Sequence, residues 1–349
     1  MEAPDLVVAG TPSIDRIEIR GETHATVGGS GFITAVAARR TDATVGLAAR
    51  VPSTLPETIA AAFAPGGVDP GGLIPVHGSL PGFHIAYDDT ETATYLEIKS
   101  GNEADVSAND LPRRWLAAPW IHIGPLAASS TNQIRFLDEL LERGYRGGVS
   151  AGTFGRAAAD EPDLVRELFE RVDIAFMNRD EAQQIFPSNM PSSVVVCVTE
   201  GRTGVRCWDG ATWTHHPTDA VAAVDPTGAG DAFVGGYLGA MLVGSTNPVE
   251  CGINSASIIV QGMGAAPLID LLPKGAIVEP DRGFTEQGIA QLDRERTGHV
   301  ASELDKAAHA GALAFTGSPF PESGDPAAID VLTVGTLHQY GFWKGTDRG

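Results

Sequence analysis

Cysteine is scarce in this chain: Cys197, Cys207 and Cys251 are the three in 349 residues. They lie in or beside apolar runs without metal-ligand spacing, which excludes a disulfide scaffold or zinc module and points to buried free thiols of a reducing compartment. Positive charge is scarce too. Lys and Arg number 24 against 44 Asp and Glu, a formal net charge of -20, and the arginines are scattered without a stripe or interleaved aromatics. Such a field repels polyanions, so nucleic acid is not expected as a partner, and a ligand that already carries phosphate is disfavoured. Long apolar runs are missing. Nowhere do eighteen apolar residues occur in succession, and the opening Met-Glu-Ala-Pro-Asp has no basic segment. The expectation is a cytoplasmic protein with no membrane partner. The first strand-like run, residues 6–9, leads into Gly10-Thr11-Pro12-Ser13 and not into Gly-x-Gly-x-x-Gly, which argues against an NAD enzyme.

What is present is a hydrophobic fraction of 43%, which over this length is enough for one large α/β domain with a substantial core. Residues 6–9, 120–123, 147–151, 173–177 and 194–198 read as buried strands, and residues 32–40, 133–143, 163–171, 182–186 and 248–260 as helices. Asp209-Gly210, after a strand at 205–208, is a hairpin signal. The βα rhythm implies a three-layer αβα, Rossmann-like fold with a mostly parallel central sheet, whose ligands collect beyond the carboxyl ends of the strands. Two alternating, hairpin-like insertions interrupt it, at approximately 13–27 and 82–99, the second around the turn-like Asp88-Asp89-Thr90-Glu91.

The most informative segment is Asp225-Pro226-Thr227-Gly228-Ala229-Gly230-Asp231. It precedes residues 232–243, where Phe233, Tyr237, Leu238, Met241 and Leu242 make an apolar helical stripe. The glycines therefore fall at a helix N-terminus, where free amides and the dipole favour an anion. Asp231, in the first turn, is placed to take a proton from an attacking hydroxyl while the Gly228, Ala229 and Gly230 amides hold developing charge. The chemistry implied is phosphoryl transfer to an alcohol.

These seven residues resemble the signature of the ribokinase-like (PfkB) carbohydrate kinases, and further motifs follow that family's order from residue 6 to about residue 268. The resemblance implies ATP and magnesium as cofactors, Asp231 as catalytic base, and residues 228–230 as an anion hole. It implies that the two insertions form a small β-sheet lid, often a dimer contact, so a homodimer through the lid is expected. Asp15 matches the lid acid that accepts from substrate hydroxyls, and Gly28 and Gly29 match the glycine pair. Arg156 lies where some members place an arginine against substrate, although a surface helix-start residue reads equally well. Asn178-Arg179-Asp180-Glu181 matches Asn-x-x-Glu, in which the Glu orients magnesium-bound water; the same residues also form a helix capping box. Thr199, Gly201 and Gly204 match the nucleotide-lining turn, and Asn254, in the helix beside it, is a further nucleotide contact. Asp225 and Thr227 match positions that in some relatives hold a monovalent cation such as potassium, and would serve equally as turn formers.

Two positions depart from the members that phosphorylate simple furanose sugars, since Ser13 and Ile33 stand where those carry Asn. The loss of two amide side chains points away from ribose and toward a bulkier small-molecule acceptor, a cyclitol or a nucleoside. In the nucleoside reading, Phe32 and Ile33 stack on the base instead of bordering a sugar. A non-catalytic sugar-binding regulator is the alternative of another class, but it is expected to lose the base or the glycines, and both are present. The kinase domain is assigned to residues 1–272. Residues 273–349, with a helix expected at 301–315, form an extension expected to pack on the core or on a partner subunit.

Overall fold

In the computed structural model of the chain, the described residues are 2–272, apart from 20, 65, 88–92, 128 and 220. The turn expected at 88–91 and the extension at 273–349, with its helix, lie outside them. The strands are β1 (Leu6–Ala9), β2 (Ser13–Ile19), β3 (Glu22–Gly28), β4 (Val45–Pro52), β5 (Asp69–Val76), β6 (Gly82–Tyr87) and β7 (Ala93–Lys99). They continue with β8 (Trp120–Ile123), β9 (Gly148–Gly152), β10 (Ile174–Asn178), β11 (Val195–Thr199), β12 (Val205–Trp208) and β13 (Trp213–His216). The helices are α1 (Ser30–Arg39), α2 (Glu57–Ala61), α3 (Ser130–Glu142), α4 (Gly155–Asp160), α5 (Pro162–Phe169), α6 (Arg179–Ile185), α7 (Ala229–Leu242), α8 (Pro248–Ile259) and α9 (Ala266–Ile269).

Nine strands form one sheet in the order β13-β12-β11-β10-β9-β8-β1-β4-β5, parallel from β11 to β5, with β12 and β13 added antiparallel at one edge. The continuous apolar run Leu6-Val7-Val8-Ala9 is buried on both faces, as an inner parallel strand requires. Alternate residues feed two cores. Leu6, Val8, Leu47 and Phe176 pack with α1, α7 and α8 on one face, while Val7, Ala9, Ile121 and Ile123 pack with α3, α5 and α6 on the other.

The helix α7 is buried on more sides than its expected apolar stripe required. Phe233 and Tyr237 meet Phe176 of β10, while α1 and α8 close the remaining sides. Small residues permit this: a Cβ on Gly235 would lie 2.2 Å from the Thr34 carbonyl, and one on Gly236 2.4 Å from Ser255 Oγ.

The second sheet has the order β3-β2-β6-β7. The pair β2 and β3 enters the chain between β1 and α1, and β6 and β7 between β5 and β8. Both insertions expected from the sequence thus join into one small sheet, with Ile17 and Ile85 as its own buried contact.

Candidate active site

The segment 225–231 forms a turn capped by α7. Gly228 is the N-cap, with φ +78, a left-handed conformation open to glycine, and a Cβ there would lie 2.4 Å from Ile33 Cδ1. Ala229 N–H reaches the Pro226 carbonyl only at 3.4 Å. The amides of Gly228, Gly230 and Asp231 have no hydrogen-bond partner among the described residues. At Gly230 a Cβ would meet nothing within 4 Å, so this residue borders open space. The turn is anchored from behind by Asp225, whose buried carboxylate accepts from Thr227 N at 2.9 Å and Gly264 N at 3.0 Å. Burial raises the Asp225 pKa above the usual carboxylate range. Both its oxygens are engaged by main chain, which makes it the fastening of the turn.

Gly230 and Asp231 line a cleft together with Ser30, His122, Thr153 and, from the far strands and the helix α6, Asn178, Glu181 and Thr199. Ser30 Oγ donates to Asp231 Oδ1 at 2.5 Å, and Thr34 Oγ1 donates to the Asp231 carbonyl at 3.2 Å, so α1 fixes both ends of this residue. Burial pushes the Asp231 carboxyl up to about 7, with the Ser30 bond opposing the rise.

Across the cleft, Asn178 caps α6. Its Oδ1 accepts from Glu181 N at 2.9 Å, while Glu181 Oε2 accepts from Asn178 N at 2.8 Å. Burial, and more weakly the charge of Asp231, raise the Glu181 carboxyl to about 8. Glu181 Oε1 and Asp231 Oδ2 are each buried without a partner. Two orphaned carboxylate oxygens on one cleft are a poor end state for a closed fold, and Glu181 Oε1 suits the water shell of a magnesium ion beside phosphates.

On the lid, Asp15 is buried, accepts from Ser13 Oγ at 2.9 Å and Phe83 N at 3.1 Å, and is raised by burial to about 7. Gly28 lies opposite: a Cβ there would lie 2.2 Å from Asp15 Oδ2. Gly29 then caps α1, and the next residue is Ser30. One three-residue stretch of main chain therefore supports both carboxylates.

Other expected site residues are placed differently. Ile33 and Phe32 are fully buried, Ile33 beneath Gly228 and Phe32 against Phe63 at 6.1 Å, so neither borders the cleft. Their stripe on α1 faces the core, and Ile33 acts through the turn above it. Arg156, on α4, pairs with Asp160 at 3.1 Å on its own helix and is not in the cleft wall. Asn254 is exposed on α8, also outside that wall. Thr199 lines the cleft, whereas Gly201 and Gly204 bound the short turn after it, Gly204 closing against the His216 carbonyl.

The structure adds residues that the motifs did not single out. Ser30 follows the glycine pair directly, and its position at a helix start was the one available signal. Tyr87 Oη lies 2.7 Å from Thr227 Oγ1, tying the lid to the turn, and His122 and Thr153 sit at strand ends where the fold gathers ligands.

Comparison with known proteins bears on this arrangement. A family model described as pfkB family carbohydrate kinase matches residues 11–271. A cytidine kinase of Thermococcus kodakarensis is 28% identical over 248 residues, covering 67% of this chain and 87% of that enzyme. An inositol 3-kinase of Oryza sativa is 36% identical over 211 residues, covering 56% of this chain and 52% of that one, so the match spans about half of the rice protein. The crystal structure of a putative ribokinase II from E. coli in complex with ATP and Mg²⁺ superposes with a TM-score of 0.65 at 18% identity, covering 78% of this chain and 98% of that one, which shows the shared fold. With more than half of its length matched by the family model, the chain belongs to the pfkB family of carbohydrate kinases and is an ATP-dependent kinase of sugars or nucleosides.

Proposed function

We propose that the protein transfers the terminal phosphoryl group of ATP to a hydroxyl of a small, uncharged, sugar-like acceptor, with Asp231 as general base. One observation carries this reading: Asp231 shares a cleft with unpartnered amides at a helix N-terminus, and one of its oxygens is committed to Ser30 while the other has no partner. Oδ2 is then available for the acceptor's proton, and a carboxyl near 7 is ionised often enough to take it. The Gly228, Ala229 and Gly230 amides hold the charge that develops on the moving group. Glu181, through its unpartnered Oε1, would hold magnesium by way of water, with Asn178, which caps its helix, on the nucleotide side. Bound magnesium would supply charge neutralisation at the phosphates. Thr199 and the turn at Gly201 and Gly204 lie on the nucleotide side, and Asp15 on the acceptor side.

The acceptor is proposed to be a cyclitol or a nucleoside. Ser13 is engaged by Asp15 and offers no free amide to a furanose, and the rice and Thermococcus relatives are named for inositol and cytidine. The β7 edge of the lid, with Leu96 44% exposed, supports pairing of lids between two copies, which the mass in solution would report. A coupled assay of ATP consumption over sugars, cyclitols and nucleosides tests the main reading. Turnover of a cyclitol or nucleoside with ribose inert is the expected result. Silence across every acceptor would overturn it in favour of a sugar-binding regulator.

A further inference from the structure

Three side chains on the neighbouring strands β8 and β9 form a directed chain that takes no part in the phosphoryl transfer proposed for Asp231. Trp120 Nε1 donates to Ser150 Oγ at 2.9 Å, and His122 Nδ1 lies 3.0 Å from the same oxygen. Chemistry sets the direction. An indole N–H only donates, so Ser150 is its acceptor, and the buried Ser150 hydroxyl has one hydrogen left to give. Among the described residues, the remaining partner of that hydroxyl is His122 Nδ1. A neutral imidazole that accepts at Nδ1 carries its hydrogen on Nε2. Burial keeps the ring neutral, pushing its pKa down to about 3.

His122 lines the cleft, its ring stands steeply to that of Phe176 at 6.0 Å, and the Nε2 side of the ring faces Gly152 of the same cleft wall, where a Cβ would lie 3.8 Å from Nε2. A second polar group borders the same cleft. Thr153 is 7% exposed, lines the same cleft, and its hydroxyl is buried without a partner. The location is on the Asp231 side of the cleft. In the sheet order β8 separates β9 from β1, while Asn178 and Thr199 end the strands beyond β9. Two residues past His122, a Cβ on Gly124 would lie 3.6 Å from Gly31, the neighbour of Ser30.

The remaining acceptor contacts proposed for this site are carboxylates, Asp231 and Asp15, which when ionised accept hydrogens and give none. A polyol or nucleoside held by them still presents oxygen lone pairs that need donors. We propose that His122 Nε2–H, with the Thr153 hydroxyl beside it, donates hydrogen bonds to a non-reacting oxygen of the acceptor molecule, while Trp120 and Ser150 are positioning residues that select the donating tautomer. The inference rests on the kinase reading, because it concerns the acceptor of that reaction.

Two measurements on the full chain test it, with myo-inositol and cytidine as probes. Absence of turnover by the wild type with these and with the wider acceptor panel refutes the kinase reading itself, an outcome separate from failure of the His122 assignment. Given turnover, His122→Leu raises KM for the acceptor about tenfold and leaves KM for ATP within about twofold, as loss of one or two neutral hydrogen bonds predicts. His122→Gln, which restores an N–H, recovers part of the loss. An unchanged acceptor KM in a folded His122→Leu variant, or a rise confined to ATP, overturns the proposal. Nitrogen-15 NMR of the imidazole decides the same question without that variant having to fold. The wild-type ring should carry hydrogen on Nε2, with a signal that moves when the acceptor that turns over is added, and Ser150→Ala should release the tautomer. A wild-type ring protonated on Nδ1, or one indifferent to that acceptor, refutes the proposal.

Discussion

Tyr87 Oη and Thr227 Oγ1 are 2.7 Å apart, a hydrogen bond between the last residue of a lid strand and the turn that opens α7, across 140 residues of chain. The pair couples the position of the lid to that of the amides at 228–230. Tyr87→Phe deletes the bond without changing the ring's bulk. The expected outcome is a folded protein whose turnover falls about threefold to tenfold, the worth of one neutral hydrogen bond, with faster amide exchange in residues 225–231. Unaltered exchange in that turn would show the contact to be incidental.

Asp231→Asn keeps the shape of the site and removes the base. Turnover should fall roughly 10²- to 10⁴-fold while ATP affinity is nearly retained. Near-normal activity would refute the assigned role.

Ser30 works through Asp231. Its hydrogen bond lowers a carboxyl that burial has raised to about 7, so Ser30→Ala lets that pKa climb further. The acid limb of the kcat/KM profile, expected near 7 in the wild type, should move to higher pH in the variant. Added magnesium acts in the opposite direction, since a cation near Glu181 and Asp231 favours their charged forms. A limb that stays in place in Ser30→Ala would mean that Ser30 orients nothing of consequence.

Gly228 and Gly230 separate folding from function. Gly228→Ala forces a side chain into a left-handed turn against Ile33 and should cost stability, on the order of 1–2 kcal/mol or more. Gly230→Ala meets no protein atom within 4 Å and should melt like the wild type, yet place a methyl group where the transferred phosphoryl sits. Loss of turnover at unchanged Tm is the expected signature. Full activity would show that no ligand approaches that amide.

Stability should depend on pH in a direction opposite to that of a salt-bridged protein. Asp15, Asp231 and Glu181 have folded pKa values of about 7, 7 and 8, above the ordinary carboxylate range. Between that range and 7 to 8, the native state binds more protons than the unfolded chain, so stability decreases as pH rises through this window. The ligand-free protein should therefore melt higher at mildly acidic pH than above 8, and magnesium with ATP should offset much of the loss at alkaline pH. A melting temperature that climbs steadily toward alkaline pH would contradict the burial of these groups.

Much of the fold is legible in the amino-acid sequence, for identifiable reasons. Residues 6–9, 120–123 and 205–208 are short, continuous or strand-like runs between turn signals, and their strands begin and end where those runs do. The strand at Asp69–Val76 is not legible, because Pro70, Gly71 and Gly72 obscure it, and they are tolerated on a strand at the sheet's edge. In the site, the turn at 225–231 announces itself because its chemistry is local. Ser30 and His122 do not, because what matters about each is a partner elsewhere: Asp231 lies 201 positions from Ser30, and Ser150 lies 28 from His122. Ile33 misleads for the same reason. Its place in the chain lies beside the glycine pair, and its place in the fold lies under Gly228.

The buried acid at 225 has a mechanical consequence. It fastens Thr227 and Gly264 together, and the next residue, Ala265, donates its amide to the Val27 carbonyl at 2.8 Å. The β3 strand is thereby joined through three successive hydrogen bonds to the turn at the start of α7, so the cover and the grip of this molecule share one fastening.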